Sequence, residues 1–469
     1  MYTPTIGLEV HAELKTLSKM FCGCANSPHE SGPNQNICPV CMAHPGTLPV
    51  ANASAIKHVL LFGTAVGGTL ASYAEFDRKN YFYPDIPKAY QISQYAFPFV
   101  TGGLVGGVAL TRVHLEEDTA RSQHDKGDSS LVDFNRAGVP LMELVTEPVI
   151  HDAKTAVSFA KELQLLLRTL GISDANMERG EMRVEANISV SKTGERSKKY
   201  VEVKNLNSFR SVEGAIEFEI KRQIELLEAG GELVQETRGW DEVKGKTFSQ
   251  RSKETAKDYR YFPDPDLPKM QIDQIHDFMS ARLDEIMPVL PANKRLIYSD
   301  IGLTSNQIEI IIQNEILTRY FDEIAAKTTD QKILSLSVNY LLTDFSQILL
   351  GAGPVDAVLS PGHFVQLMEL VRDNKISSRV AKDIIIAIGL ADTEPLKYAT
   401  TNNLISSFTP EQLIALVQDI IGTQASVVAE YKAGKVASLQ FLLGQAMKQT
   451  KGAVDPLTLR KTFEDELAQ

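Results

Sequence analysis

Four cysteines fall as Cys22-Gly-Cys24 and Cys38-Pro-Val-Cys41, and the chain holds no others. Two closely spaced thiolate pairs can each supply two corners of one tetrahedral Zn²⁺. With every corner taken by sulfur the ion has no place for substrate, so its expected role is structural, stapling a loop-rich N-terminal segment. Four buried or incidental thiols are the competing reading. His11-Ala-Glu13 beside the second pair faintly echoes a zinc-deaminase pattern. That pattern fails, because the proline stands inside the pair and Cys22 and Cys24 are left unused.

A second group is acidic and imidazole-bearing. In Ile6-Gly7-Leu8-Glu9-Val10-His11 the apolar Ile6, Leu8 and Val10 face one way on a strand, so Glu9 and His11 share the other. Val113, Leu115 and Glu117 likewise oppose His114, Glu116 and Asp118. Carboxylate oxygens with an imidazole suit Mg²⁺ held beside phosphates. A single such strand is more often a solvated polar face, but two of them with Glu143 and Glu147 favour a shared site.

A third group joins charges and aromatics, in Asp77-Arg78-Lys79-Asn80-Tyr81-Phe82-Tyr83-Pro84-Asp85 and Asp258-Tyr259-Arg260-Tyr261-Phe262-Pro263-Asp264. Arginine and lysine can neutralise phosphate or carboxylate while aromatic rings stack on a base. An ordered loop with internal ion pairs is the alternative. Phosphate-loop motifs fail: Gly245-Lys246-Thr247 is preceded by Gly239, one residue too far away, and Gly102 to Gly107 opens no helix. No Gly-x-Ser-x-Gly elbow occurs, and cysteines committed to zinc leave no thiol nucleophile. Hydrolysis of glutamine for ammonia would therefore fall to a partner.

These groups need elements to hold them. Asp152 should open a helix whose stripe runs through Val157, Ala160, Leu163, Leu167 and Leu170 to a stop at Gly171. A second helix is predicted from about Ser211 to Gly230, and Met182 to Val190 alternates as a half-buried strand. Strands and helices without regular βαβ order predict an α+β fold on a largely antiparallel sheet over residues 1–290. After Pro288-Val-Leu-Pro291 helices dominate, at Ile308 to Tyr320, Ile333 to Leu350 and Val380 to Ile388. That predicts an all-helical domain over 291–400 and a helical tail over 401–469. A chain of 469 residues, 43% hydrophobic and 23% charged, suits several soluble domains. Apolar runs fall short of a membrane span and the start does not read as a signal peptide, so the expected location is cytoplasmic, with no membrane partner. The net charge of −11 argues against a protein that coats nucleic acid generally, though not against a local basic patch.

The polar segments resemble the B-subunit family of the bacterial-type aspartyl/glutamyl-tRNA(Asn/Gln) amidotransferase, the GatCAB complex. The likeness runs through Gly7-Leu-Glu-Val-His11, the cysteines, Asp77 to Asp85, Tyr90-Gln-Ile-Ser-Gln94, His114-Leu-Glu-Glu-Asp118, Asp133-Phe-Asn-Arg136 and Pro140-Leu-Met-Glu143. It continues through Glu202 to Ser208, Gln235 to Asp241 and Asp258 to Asp264, and ends in Tyr431-Lys-Ala-Gly-Lys435 and Phe441-Leu-Leu-Gly-Gln445, similar to a YqeY-like tail. The resemblance implies a cradle-shaped catalytic domain, a helical domain and a tail that contacts tRNA. It implies ATP-dependent activation of the side-chain carboxylate of Glu-tRNA(Gln) or Asp-tRNA(Asn), then amidation. The partners it implies are the amidase-type GatA, which frees ammonia from glutamine, and the small GatC, in a heterotrimer.

On that resemblance Glu9, His11, Glu116 and Glu143 are the expected catalytic magnesium ligands, with Glu117 nearby. Arg78, Lys79, Tyr81, Lys204 and Arg260 are the expected ATP or substrate contacts. Lys432, Lys435, Lys448 and Lys451 form the expected tRNA-binding set, with a solvated helix face as the alternative. Glu185 stands where the family pattern has Asp, and it is left out of the site for that reason. Two rivals remain: a stand-alone ligase acting on a small carboxylate, for which the helical C-terminus is superfluous, and a zinc-containing RNA scaffold, which does not need the carboxylate–imidazole strands.

Overall fold

Alternation of apolar and polar residues makes Thr3–Glu13 (β1) an inner strand of a ten-stranded sheet. The computed structural model describes residues 2–29, 32–126, 128–192, 197, 199–252, 259–351, 358–405, 410–450, 454 and 456–468. It divides into two units, Met1–Pro291 and Ala292–Gln469.

In the first unit, β1 is followed by helix α1 (Ala53–Ala65), β2 (Asp77–Asn80), β3 (Tyr90–Ser93), β4 (Val108–Glu117) and β5 (Pro140–Thr146). Then come α2 (Ala153–Thr169), β6 (Met182–Ser191), β7 (Val201–Leu206), α3 (Phe209–Glu228), β8 (Glu236–Asp241) and β9 (Lys246–Ser252). The main sheet runs β9-β8-β7-β6-β1-β5-β4, extended by the short strands Val100–Thr101 and Thr69–Leu70. Its pairings are antiparallel except β7 with β8, which are parallel. Helix α3 makes that crossover, so one βαβ unit sits in a sheet that was expected to have none in regular order. β2 and β3 pair in a separate small sheet with Phe262–Pro263.

Ile6, Leu8, Val10 and Ala12 are at most 1% exposed and join one apolar cluster with Phe159, Leu163 and Leu167 of α2 and Val212 and Ile216 of α3. Truncating Ile6 or Leu8 to alanine costs about 2–5 kcal/mol, so this face fixes the strands in place and leaves the opposite face for chemistry. The helices begin where side chains can cap them: Asp152 accepts from Thr155 N–H, and Ser208 accepts from Ser211 N–H. Gly171, at φ +67°, ends the turn after α2, a conformation glycine adopts without strain.

The second unit is helical among its described residues. The single helix expected over Ile308 to Tyr320 is two, Ser305–Ile312 and Glu315–Lys327, because Asn314 turns out of the helix and caps Ile316 and Leu317 N–H. The helix expected over Ile333 to Leu350 stays whole: a π turn at Leu341–Phe345 joins its neighbours into one 21-residue helix, Gln331–Gly351, whose most apolar 18-residue stretch has mean hydropathy 1.3. By length and composition alone it passes for a membrane-span candidate. Yet Ile333, Leu334, Val338, Leu341, Phe345 and Leu349 are buried against the helices around it, as in the core of a helical bundle. The last helices hold their own apolar cluster, built from Val417, Ile420, Leu442, Ala446, Leu459 and Phe463.

Candidate functional site

Strands β1, β5 and β4 lie side by side, with His11 opposite Glu143 and Glu143 opposite His114. Directly opposed residues of antiparallel strands point to the same side, so the three form a row across the sheet. Glu9 and Glu116 lie two residues from His11 and His114 and therefore share that face. The side chains converge. His11 Nε2 is 3.4 Å from Glu143, 3.7 Å from Glu116 and 3.8 Å from Glu9, while His114 Nε2 is 3.4 Å from Glu143 and 3.9 Å from Glu116. Ser93 Oγ donates to Glu116 at 3.0 Å from the neighbouring sheet.

Burial and repulsion from Glu143 push the Glu9 carboxyl up to about 7. Burial opposes the His11 cation, but its hydrogen bond to Glu143 and the surrounding carboxylates carry it up to about 9. Burial also works against the Glu143 carboxylate, but His114 and His11 outweigh it and hold the group well below the usual range. Protons and imidazoles thus do the neutralising that a cation could do instead. Glu9, His11 and Glu143 offer ligand atoms within 4.8 Å of one another, as do His114, Glu116 and Glu143. The oxygen-rich donor set fits a hard divalent cation.

Above the row opens a cavity of about 270 Å³, lined by Glu9, His114 and Glu143 and by the cations Lys79, Arg112 and Lys204. Lys79 lies 5.2 Å over the Tyr259 ring, and the opposing carboxylates Glu116 and Glu143 keep it protonated against burial. Lys204 is 2.7 Å from Glu185, which stands opposite Glu9 on β6. Tyr95 and Tyr261 stack at 4.7 Å along one wall.

Other expected contacts lie elsewhere. Glu117 points to the opposite side of β4, where Ile92 N–H donates to it at 3.0 Å and Lys88 lies 2.6 Å away, so it is not in the cation cluster. Arg78 spends its fork on Asp264 at 2.9 Å and Asp266 at 2.7 Å and lines a different cavity beside Cys22, Cys41 and Tyr90. Tyr81 packs edge-on to Tyr259 with centroids 6.0 Å apart, outside the residues lining the cavity over the row. Arg260 is exposed at φ +46°, its carbonyl accepting from Asn80, and it does not line that cavity either. Arg112, His114 and Glu202, none of them among the expected ligands and contacts, do line that cavity, and Glu185 groups with Glu9 and Glu202. The strand register would have revealed His114, directly opposite Glu143, and Glu185, directly opposite Glu9; Arg112 lies one step further, two residues from His114.

The cysteines form a separate cluster. Their four sulfur atoms lie within 4.8 Å of one another, with Cys38 and Cys41 3.9 Å apart. Four sulfurs bonded to zinc at 2.3 Å stand about 3.8 Å apart, so the donor set and spacing fit a closed tetrahedral site. The Cys22 thiol donates to Cys41, holding Cys41 down at about 4. In the tail, Lys432, Lys435 and Lys448 are exposed, Lys435 pairing with Glu430 at 2.9 Å. Lys451 lies outside the described residues.

Comparison with known proteins covers the chain from end to end. The GatB/GatE catalytic domain matches residues 4–276, and the GatB domain matches residues 319–467. The B subunit of the aspartyl/glutamyl-tRNA(Asn/Gln) amidotransferase of Caldanaerobacter subterraneus subsp. tengcongensis is 40% identical over 481 residues, all of both chains. That of Thermomicrobium roseum is 41% identical over 483 residues, 100% of this chain and 99% of the other, and that of Brevibacillus brevis 38% identical over 481 residues, 99% of each. With a carboxylate–imidazole row on its sheet and relatives matching along its whole length, the chain belongs to the B-subunit family of the aspartyl/glutamyl-tRNA(Asn/Gln) amidotransferases.

Proposed function

We propose that this chain is the carboxylate-activating member of a complex that turns Glu-tRNA(Gln), Asp-tRNA(Asn) or both into the amidated tRNAs, using ATP and glutamine. The observation that carries the reading is the His11–Glu143–His114 row flanked by Glu9 and Glu116 under a cavity with cationic walls. A carboxylate resists attack by ammonia because its leaving group would be oxide. Phosphorylation supplies a leaving group: a carboxylate oxygen bonds to the γ-phosphorus, the bridging P–O bond breaks, and ADP departs with the electron pair. Ammonia then forms the C–N bond, and phosphate leaves.

Glu9, His11, Glu116 and Glu143 hold the divalent cation, and Glu117 is dropped from that set. A bound Mg²⁺ supplies charge to offset the phosphoryl oxygens. Lys79 and Lys204 bring positive charge from the chain itself, each fixed by a partner and so needing little reorganisation. Tyr95, Tyr259 and Tyr261 close one side with ring faces that suit a base. Arg78, Tyr81 and Arg260 stand back from this cavity, and their part is to shape the segments that bear Lys79 and Tyr261.

Residues 1–290 serve as the catalytic cradle, 291–400 as a helical domain, and 401–469 as the tail that meets tRNA through Lys432, Lys435 and Lys448. Zn²⁺ on Cys22, Cys24, Cys38 and Cys41 is structural. Ammonia comes from the amidase GatA, held in place by the small GatC, and the site of action is the cytoplasm. The test measures ATP turnover by the complex with both partners present, with and without misacylated tRNA. Turnover that depends on Glu-tRNA or Asp-tRNA supports the assignment; turnover driven by a free amino acid, or none, refutes it.

A further inference from the structure

A second row crosses the sheet one step from the first: Glu185, Glu9, Val145 and Arg112, each directly opposite the next. Neighbouring strands lie about 4.8 Å apart, so the backbones at Glu9 and Arg112 stand roughly 10 Å apart with the short, apolar Val145 between them. Glu9 and Arg112 both line the cavity. The result is a slot with cation-collecting carboxylates on one bank and a guanidinium on the other.

That guanidinium is under-used. Among the described residues the Arg112 side chain makes no hydrogen bond; its Nε is buried without a partner, and its nearest carboxylate oxygen, on Glu143, is 3.9 Å from Nη2. Buried donors in native proteins nearly always find an acceptor. Other arginines of this unit do: Arg78, Arg183 and Arg238 each reach a carboxylate at 2.9 Å or less. His114, two residues along the same face, has Nδ1 buried and unpaired as well. The remaining cavity cations are committed, Lys204 to Glu185 and Lys79 to the Tyr259 ring. Arginine's planar guanidinium also fixes the orientation of an oxygen it holds, which a freely rotating ammonium does not do.

We infer that Arg112 clamps the side-chain carboxylate of the aminoacyl ester, holding the oxygen that stays a carbonyl while the other faces the carboxylate bank across Val145. The inference rests on the function proposed above and names the residue that recognises its substrate. The second oxygen is then free to bond to phosphorus, and no proton need move. The Arg112 side chain makes no hydrogen bond to the described residues, so its truncation should leave the sheet intact.

The test compares wild type, Arg112→Lys and Arg112→Ala in the full complex, varying ATP and misacylated tRNA separately. For Arg112→Ala, kcat/KM for misacylated tRNA should fall roughly 10- to 100-fold, with a smaller fall for Arg112→Lys. The KM for ATP and the Kd for uncharged tRNA, which lacks the carboxylate, should change by less than about 2-fold. Unaltered kcat/KM, or a rise in the KM for ATP instead, overturns the clamp while leaving the parent reading standing. A wild-type complex without tRNA-dependent ATP turnover overturns both.

Discussion

The four thiols come from one stretch, residues 22–41, whereas the carboxylates and imidazoles come from three strands spread over residues 3–146. In the first centre the chain's own turns bring the ligands together, as Cys38 N–H donating to Cys41 Sγ at 3.2 Å illustrates. In the second, nothing local joins Glu9 to Glu143; the register of β1 against β5 does. The thiol centre fits a closed coordination shell and the other a cavity. The difference teaches that a local cluster can serve as a staple, while a centre built across strands inherits the rigidity of a sheet and can face a substrate.

The sharpest way to break this contrast is to remove one ligand from each centre. His11→Ala should lower amidation by more than about 100-fold, while the melting temperature stays put and the partner's glutaminase activity persists. Full amidation by a folded His11→Ala complex would remove the row from the chemistry. Cys22→Ser should do the opposite: zinc content falls below half an equivalent and melting drops by about 3–10 °C. Its kcat per folded complex should remain within about 3-fold of wild type. If Cys22→Ser destroys turnover without a change in melting, the two centres are not divided as described. The smallest effect is expected in the tail. Lys432→Ala with Lys435→Ala should weaken tRNA binding a few-fold and flatten its salt dependence by about one to two phosphate contacts. An unchanged affinity and slope would discard the patch, and pairing of Lys435 with Glu430 already limits its share.

Legibility in the sequence follows the same division. The cysteine cluster, α2 and β6 can be read from neighbours in the chain, since spacing, caps and alternation are all local. Glu9, His11, Glu116 and Glu143 are readable as faces of strands, but their convergence needs pairing that alternation alone does not specify. Glu117 is set beside the magnesium by the resemblance, although strand alternation already puts it on the face opposite Glu116. Glu185 is discounted for its extra methylene, yet it sits opposite Glu9 and takes Lys204 as partner. Arg78 and Arg260 look available because their sequences are rich in charge, and only the fold shows one neutralised by Asp264 and Asp266 and the other turned to solvent. Asn314, within a stretch that reads as one helix, shows how a capping side chain can end one helix and start the next within apolar periodicity.

Lys19 is 1% exposed, with its ammonium 3.9 Å from Cys41 Sγ and 3.3 Å from the Phe134 carbonyl, while Met20 N–H bonds Gly138. Four thiolates around Zn²⁺ leave a surplus of two negative charges, and this ammonium is placed to counter part of it. Oxidation of the cysteines would erase that surplus and strand a buried positive charge against the loop that feeds β5. Damage to the thiols would then travel beyond the knuckle, along Phe134 to Gly138, toward the strand that carries Glu143.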